Sequence, residues 1–438
     1  MIDFYLPYSS PYLLWIHNNS VQQSFSMLRS IVEFVSMDKQ ISKYSLPIPK
    51  LSGMFISDTY HHKLKSQLTS IIQDTFSKQE YIPIDCPILE PTELYERKSG
   101  GEISKRLYSF TEPNGRKVSL RPEFTSSIIR ILIDDNLSQS HTPISRFQYC
   151  GPVFRNHETN LASSTKQFTQ LGAELIGNNS IKSDAEILSL SLESISKTSV
   201  KNVNISIGNV GPIREFLGNS GFTEALTDFT LDNIYKIRAN HSIDSLAQKA
   251  LDLGLLSLEI PENKSPNIVD IQRILDELET SSDSYNFGRR TSHEIIDRLK
   301  QKQTISLTRS DYIKTLTILY NFFKEFSKTT VGAKKSDPSY PEELSKSIYY
   351  ISQVVDEVII PKNLKAKFVI DFERNRGLTY YTGIVFDLET EINSQTKTFG
   401  GGGRYDKLFT ALGHHTDIPA IGFAINIDEI ISLDQGEI

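Results

Sequence analysis

The sequence predicts an α+β fold in which one main antiparallel sheet is flanked by helices and interrupted by a largely helical insertion. Three observations predict it. Asn-Gly joins two short alternating segments within residues 106–120, and a second pair of extended segments spans about 145–176. Helical periodicity then takes over from 181 to about 360 before strand-rich sequence returns.

From Tyr60 to Gln79 the apolar residues Leu64, Leu68, Ile71, Ile72 and Phe76 recur at helical spacing. Tyr81 to Leu89 holds Pro83 and Pro87 and reads as extended chain. Arg106–Thr111 and Lys117–Leu120 flank Pro113-Asn114-Gly115, a strong local hairpin signal. Pro122 suits the first turn of a helix carrying Ile128, Ile129, Ile131 and Leu132. A second hairpin pairs Ser145–Phe154 with Lys166–Ile176 across the polar connection Asn156–Thr165, longer than a tight turn requires. Helical patterns follow through Ile187, Leu188, Leu190, Leu192 and Ile195, and later through Ile268, Ile271, Ile274, Leu275 and Leu278. Lys334 to Glu343 reads as a linker, and Phe368–Leu388 and Thr396–Ile430 return to strands with glycine turns. The expected organisation is an N-terminal extension over 1–45, a first core part over 46–180, the insertion over 181–364 and a second core part over 365–438.

At 438 residues, with 38% hydrophobic and 23% charged side chains, the chain can form two or three packed units. A net charge of -6 provides no global basic field for nucleic acid. Cys86 and Cys150 cannot frame a disulfide scaffold and suit a reducing compartment. Neither has a second cysteine or a histidine at metal-ligand spacing, so both are expected to be buried small apolar residues, with no metal and no cofactor. No apolar run approaches the roughly 18 residues of a membrane span. Asp3 is the only charge in the first twenty residues and Arg29 the first arginine, unlike a signal or transit peptide. A soluble, cytoplasmic protein is expected.

Four segments carry candidate chemistry. In Leu120-Arg121-Pro122-Glu123-Phe124-Thr125, Glu123 either complements a helix dipole or, with Thr125, receives the ammonium group of an amino-acid ligand. In Gln167-Phe168-Thr169-Gln170-Leu171-Gly172-Ala173-Glu174, a strand places Gln170, Gly172 and Glu174 on one face. That face is either plainly exposed or leaves room over Gly172 for a small ligand. In Arg376-Gly377-Leu378-Thr379-Tyr380-Tyr381, a strand would turn the tyrosines to opposite faces, one into core and one towards a pocket. Arg376 is either a solvated charge or a bidentate carboxylate partner. Gly400-Gly401-Gly402-Gly403-Arg404-Tyr405-Asp406 lacks the surroundings of a phosphate loop, and its glycines are expected to let backbone approach a ligand.

In this order, the segments resemble the catalytic domain of class II aminoacyl-tRNA synthetases, specifically the histidyl enzyme. The Pro87 region resembles the first class motif, Phe154-Arg155 through Glu174 the second, and Ile418 through Glu429 the third. Arg376 through Phe386, with Gly402-Gly403-Arg404-Tyr405-Asp406, resembles the histidine-specific motifs. The resemblance implies a histidine-like pocket of Glu123, Thr125, Gln170, Glu174, Tyr380, Tyr381 and Tyr405, with Arg155 and Arg376 handling carboxylate and phosphate.

The sequence also departs from that pattern. Glu429 stands where the third motif ends in a nucleotide-binding arginine, and the second-motif loop reads Ser163-Ser164-Thr165-Lys166 where arginines are usual. Phe124 replaces a glycine, and Gly208-Asn209-Val210-Gly211 is similar to a segment of a related regulatory family. The chain stops nine residues after Glu429, where the synthetase continues into an anticodon-binding domain. Arg376, in contrast, is a synthetase-like feature. The resemblance therefore implies a regulatory subunit of ATP phosphoribosyltransferase, without catalysis of its own. Expected partners are a short-form catalytic subunit in a hetero-oligomer, histidine as feedback ligand and a second copy of the chain; tRNA and membranes are not expected. The alternatives are a histidine-tRNA ligase domain lacking its anticodon-binding domain, or a histidine-sensing module.

Overall fold

A computed structural model of the protein describes residues 51–54, 56–104, 106–134, 144–156, 165–237, 241–257, 307–332, 338–362, 366–373 and 380–435. The chain divides into two compact units, 1–54 and 55–438. The described residues of the first form a turn, Met54 N–H donating to the Leu51 carbonyl at 3.2 Å.

In the second unit, helix α1 (Thr59–Ser77) starts where Asp58 caps it, its carboxylate accepting the His61 N–H at 2.8 Å. Leu68, Ile72 and Phe76 are its buried stripe, while Ile71 stays 47% exposed beside it. The proline-bearing segment yields only β1 (Ile82–Pro83), an edge strand, where a missing N–H costs least. Strands β2 (Leu89–Pro91), β3 (Ser109–Thr111) and β4 (Lys117–Leu120) make a small sheet in the order β2-β4-β3, with helix α2 (Thr92–Ser104) between β2 and β3 in sequence. The β3–β4 turn works as its sequence predicts: Gly115 takes a φ of +87°, and Asn114 Oδ1 accepts the Arg116 N–H.

Helix α3 (Thr125–Asp134) begins three residues after Pro122, not at it. The Arg121 carbonyl accepts the Phe154 N–H at 3.0 Å and the Pro122 carbonyl accepts from Arg155 Nε at 3.0 Å, which ties the lead-in to a neighbouring strand.

The main sheet adds β5 (Ser145–Phe154), β6 (Gln167–Ile176), β7 (Asn204–Asn209), β8 (Lys367–Ile370), β9 (Ile384–Ile392), β10 (Gln395–Arg404) and β11 (Ala420–Asn426). Its order is β1-β5-β6-β11-β10-β9-β7-β8, antiparallel except for the β1–β5 and β7–β8 pairs. Strand β7 comes from the stretch expected to be a helical insertion. Its Ile205 and Ile207 alternate with Ser206, and both isoleucines are buried, so this part of the stretch is built into the sheet.

Around the sheet lie α4 (Ile181–Ser196), α5 (Val210–Asn219), α6 (Glu224–Asp232), α7 (His241–Asp252), α8 (Arg309–Phe326), α9 (Glu342–Lys362), α10 (Leu408–Ala411) and α11 (Ile427–Gln435). Glu342 and Glu343, read as the end of a linker, instead open α9, where carboxylates complement the helix dipole. The expected helix through Ile268 to Leu278, the 1–45 extension and the second-motif loop residues Ser163 and Ser164 lie outside the described residues. The core runs along the sheet, for example where Phe76 of α1 meets Phe423 of β11 edge to face at 5.8 Å. Cys86 is buried as expected. Cys150 is only half-buried, because its strand presents it beside Thr69 and Lys65 of α1.

Candidate functional site

Strand β6 sets the centre of the candidate site. Glu174 lies opposite Gly422 of β11, where a Cβ would stand 1.5 Å from its Oε2, so only glycine leaves space for the carboxylate. Thr125 Oγ1 donates to Glu174 Oε1 at 2.7 Å and the Tyr405 hydroxyl donates to Oε2. Burial pushes the Glu174 carboxyl up to about 7, against the pull of the Tyr405 and Thr125 hydrogen bonds. Three residues named from sequence thus meet directly. Gln170, on the same face, is 7% exposed, and its Oε1 is buried with no hydrogen-bond partner among the described residues. An orphaned acceptor of this kind costs about 1–3 kcal/mol, so it suits a ligand that brings a donor.

Gly172 does not leave room for a ligand. A Cβ there would stand 2.3 Å from the Phe423 carbonyl oxygen and 2.5 Å from the Tyr149 hydroxyl, so the space belongs to the protein's own groups. Tyr149 stacks on Phe124 with centroids 4.5 Å apart. The glycine run is corrected in the same way. A Cβ on Gly402 would meet the Gly422 carbonyl oxygen at 2.0 Å, and one on Gly403 the Tyr381 ring at 2.8 Å. These glycines admit neighbouring strands and a ring.

Glu123 precedes α3 by two residues and takes the helix-start role, with a cation of the protein itself as its second partner. Its oxygens accept the Ser126 N–H at 3.3 Å, and its Oε2 accepts from Lys98 Nζ of α2 at 3.1 Å. Burial pushes its carboxyl up, but the Lys98 ammonium and the Ser126 bonds outweigh burial and hold it below the usual range. Lys98 Nζ also sits 4.5 Å from the centroid of the Tyr380 ring. Tyr380 and Tyr381 precede β9 and are not part of it. Their rings pack together at 4.1 Å, not on opposite faces, because the chain here is not pleated.

Arg155, just past β5, donates to the Pro122 carbonyl and lies 5.0 Å from the Phe168 ring centroid. Arg376 lies outside the described residues. Arg404 is buried, its guanidinium paired with Asp184 of α4 and with Asp406 at 3.1 Å, and Asp184 also accepts from the Tyr350 hydroxyl at 2.7 Å. This network anchors the residue before Tyr405.

At the other end of the β6–β11 ladder, the first turn of α11 carries Asp428 and Glu429. Asp428 accepts the Thr169 N–H at 2.5 Å and pairs with Lys65 Nζ at 2.5 Å. Glu429 is half-buried, and its N–H donates to Asn426 Oδ1 at 3.1 Å. A helix start ordinarily favours an anionic ligand; here two side-chain carboxylates already stand in that field. Among the described residues no group of three or more His, Cys, Asp or Glu could hold a metal ion, and no helix is long and apolar enough to cross a membrane.

Sequence reasoning missed Lys98, Tyr149 and Asp184. The signal for Lys98 was faint but present: it follows Leu94 and Tyr95 at helical spacing, which puts a charge on the buried face.

A family model described as histidyl-tRNA synthetase matches residues 59–430. Histidine–tRNA ligases of Prochlorococcus marinus subsp. pastoris and Saccharolobus islandicus are each 30% identical to the chain, over 371 and 365 residues. Those matches cover 84% and 83% of this chain and 68% and 70% of the ligases. A Bacillus halodurans structure described as an ATP phosphoribosyltransferase regulatory subunit/histidyl-tRNA synthetase aligns with a TM-score of 0.59 at 18% identity, covering 88% of this chain and 84% of its own. Apo S. aureus histidyl-tRNA synthetase aligns with a TM-score of 0.51 at 20% identity, covering 89% and 74%. The fold is the class II synthetase fold expected from the sequence.

Proposed function

This chain belongs to the histidyl-tRNA synthetase family, and from that premise we propose that it is a regulatory subunit of an ATP phosphoribosyltransferase, binding histidine without activating it. The observation that carries the reading is the acidic first turn of α11, Asp428 followed by Glu429. By the family resemblance, Glu429 occupies the place of an arginine that holds the nucleotide. Losing one charge-assisted hydrogen bond costs about 1.5–3 kcal/mol, and placing an anion against a triphosphate costs more. With the second-motif loop also short of arginine, the loss reaches roughly a hundredfold or more in nucleotide binding. The pocket around Glu174, Thr125, Gln170 and Tyr405 supports retention of an amino-acid ligand, with Glu123, Tyr380 and Tyr381 completing it. The Bacillus halodurans protein carries both descriptions on one fold, which makes the two roles compatible with this architecture.

The proposed partners are a short-form catalytic subunit and a second copy of this chain. Ile82, Ile88, Leu89 and Phe110 are exposed apolar residues of the first-motif region and of the small sheet, and they support the self-contact. The second reading is an active histidine–tRNA ligase, favoured by the names of the relatives at 30% identity.

The two readings part in two assays. Histidine-dependent ATP–pyrophosphate exchange stays at background if the regulatory reading holds, and adding the chain raises the rate of a short-form phosphoribosyltransferase. Exchange at an ordinary enzymatic rate, with no stimulation and no co-purifying complex, transfers the assignment to the ligase.

A further inference from the structure

Lys98 is 8% exposed, and a lysine this buried is rarely found without a partner that offsets its desolvation. It projects from α2, whose neighbouring Arg97 faces outward and pairs with Glu93. We propose that Lys98 is a positioning residue of the amino-acid subsite, its ammonium fixing the Glu123 carboxylate on one side and the Tyr380–Tyr381 ring pair on the other. The proposal rests on the histidine-pocket reading given above and adds a residue to it.

The geometry is threefold. Lys98 Nζ stands 3.1 Å from Glu123 Oε2, with side-chain exposures of 5% and 12% for the pair. The same nitrogen lies 4.5 Å from the Tyr380 ring centroid, and that ring packs on Tyr381 at 4.1 Å. One cation therefore joins the two walls that the sequence assigns to the ligand. Among the described residues Tyr95 of α2, Cys86, Tyr149 of β5 and Glu174 of β6 also feel the Glu123 charge, and Glu90 acts on Tyr95 and Cys86. Glu90 is occupied by Arg130. Arg121, the other nearby cation, is turned to the Cys86 and Pro152 carbonyls and the Phe124 ring. Among the described residues Lys98 is the cation bonded to Glu123.

The consequence is chemical. A buried carboxyl without a counter-charge takes up a proton and can no longer accept from a ligand's ammonium group. With Lys98 in place, Glu123 stays ionised at neutral pH and still has lone pairs to offer. The subsite then selects ligands that carry an α-ammonium. A pair that merely staples α2 to α3 would change stability without changing that selection.

The test uses the full chain with Lys98→Met, Lys98→Arg and the double variant Lys98→Met/Glu123→Gln. In ligand-free protein, the Glu123 carboxyl is followed by NMR with labelled glutamate, assigned through Glu123→Gln. Its titration midpoint should rise to neutral pH or above in Lys98→Met and return towards the wild-type value in Lys98→Arg. By calorimetry near neutral pH, Lys98→Met should bind histidine on the order of tenfold more weakly, the ratio to wild type shrinking as pH rises. The Glu174 carboxyl is followed in the same spectra, because the Lys98 charge also pulls its midpoint down. Imidazolepropionate, which lacks the ammonium, should bind both proteins within about twofold of each other. If Lys98→Met does not fold, the double variant, neutral at both positions, should lose histidine affinity. An unmoved Glu123 titration, wild-type histidine affinity in either Met variant, or tighter binding would overturn the proposal. Tighter binding would mean that the ammonium competes with the ligand's own. If the wild-type chain binds no histidine at all, the pocket reading fails, and the ligand-free titration still decides whether Lys98 holds Glu123.

Discussion

One ladder of the main sheet ends in two acidic environments that behave oppositely. Where β6 and β11 pair at Glu174 and Gly422, the carboxylate is enclosed and receives the hydroxyls of Thr125 and Tyr405. Further along, past Gln170 and Asn426, α11 begins with the half-buried Asp428 and Glu429. The side-chain chemistry is the same, so the neighbours make the difference. Neutral donors around a buried carboxylate shape a site for a small polar ligand. A row of carboxylates at a helix start uses up the field that would otherwise draw in phosphate.

The largest expected effect breaks the first environment. In the folded protein the Glu174 carboxyl titrates at about 7, above its ordinary 4.5. A raised carboxyl contributes its full stability below the unfolded value of about 4.5 and loses it as pH rises through the folded value. The difference amounts to about 3 kcal/mol across that window. Glu174→Gln has no such proton to lose. Denaturant melts at matched pH should therefore show the variant gaining on the wild type from about pH 5 to 8. A constant difference across that range would mean that Glu174 is not held in this desolvated state.

The second prediction acts on the other end. Glu429→Arg exchanges an anion for a cation at the start of α11. ATP binding, measured by calorimetry, should tighten by about tenfold or more. The helix itself should weaken by about 0.3–1 kcal/mol, since a cation opposes its dipole. Unchanged nucleotide affinity would remove the charge reversal as the reason for poor activation and would strengthen the ligase reading. Histidine binding should not move with it, because Glu174 and its donors are untouched.

How much of this was legible in the sequence depends on whether the signal was local. The β3–β4 turn was legible because Asn114 and Gly115 supply the conformations themselves. The β5–β6 hairpin and the shared face of Gln170 and Glu174 followed from two-residue alternation. Strand β7 was lost in a helical background, although Ile205, Ser206 and Ile207 alternate, because its partners β8 and β9 arrive more than 150 residues later. The tyrosine pair was misread because Tyr380 and Tyr381 lie outside a strand, and the Gly400–Gly403 run because its close neighbours are other strands. Lys98 meets Glu123 only through the packing of α2 against the start of α3, a relation that no spacing encodes. Thr125, Glu174 and Tyr405 were named together through family resemblance, and their direct hydrogen bonds are what the fold adds.

The smallest effect separates binding from stability inside the first environment. Gln170 carries a buried Oε1 with no partner among the described residues. Gln170→Leu keeps most of the volume and removes an unsatisfied acceptor, so stability should hold or rise by up to about 1 kcal/mol. A ligand that donates to that oxygen loses the bond, and histidine affinity should fall by about tenfold. The opposite signs are the point of the experiment. A residue kept for packing loses stability when it is replaced, whereas one kept for a ligand loses only the ligand. If Gln170→Leu destabilises the fold and leaves histidine binding unchanged, the orphaned oxygen faces no ligand. The contrast between the two ends of the ladder would then rest on Glu174 and Glu429 alone.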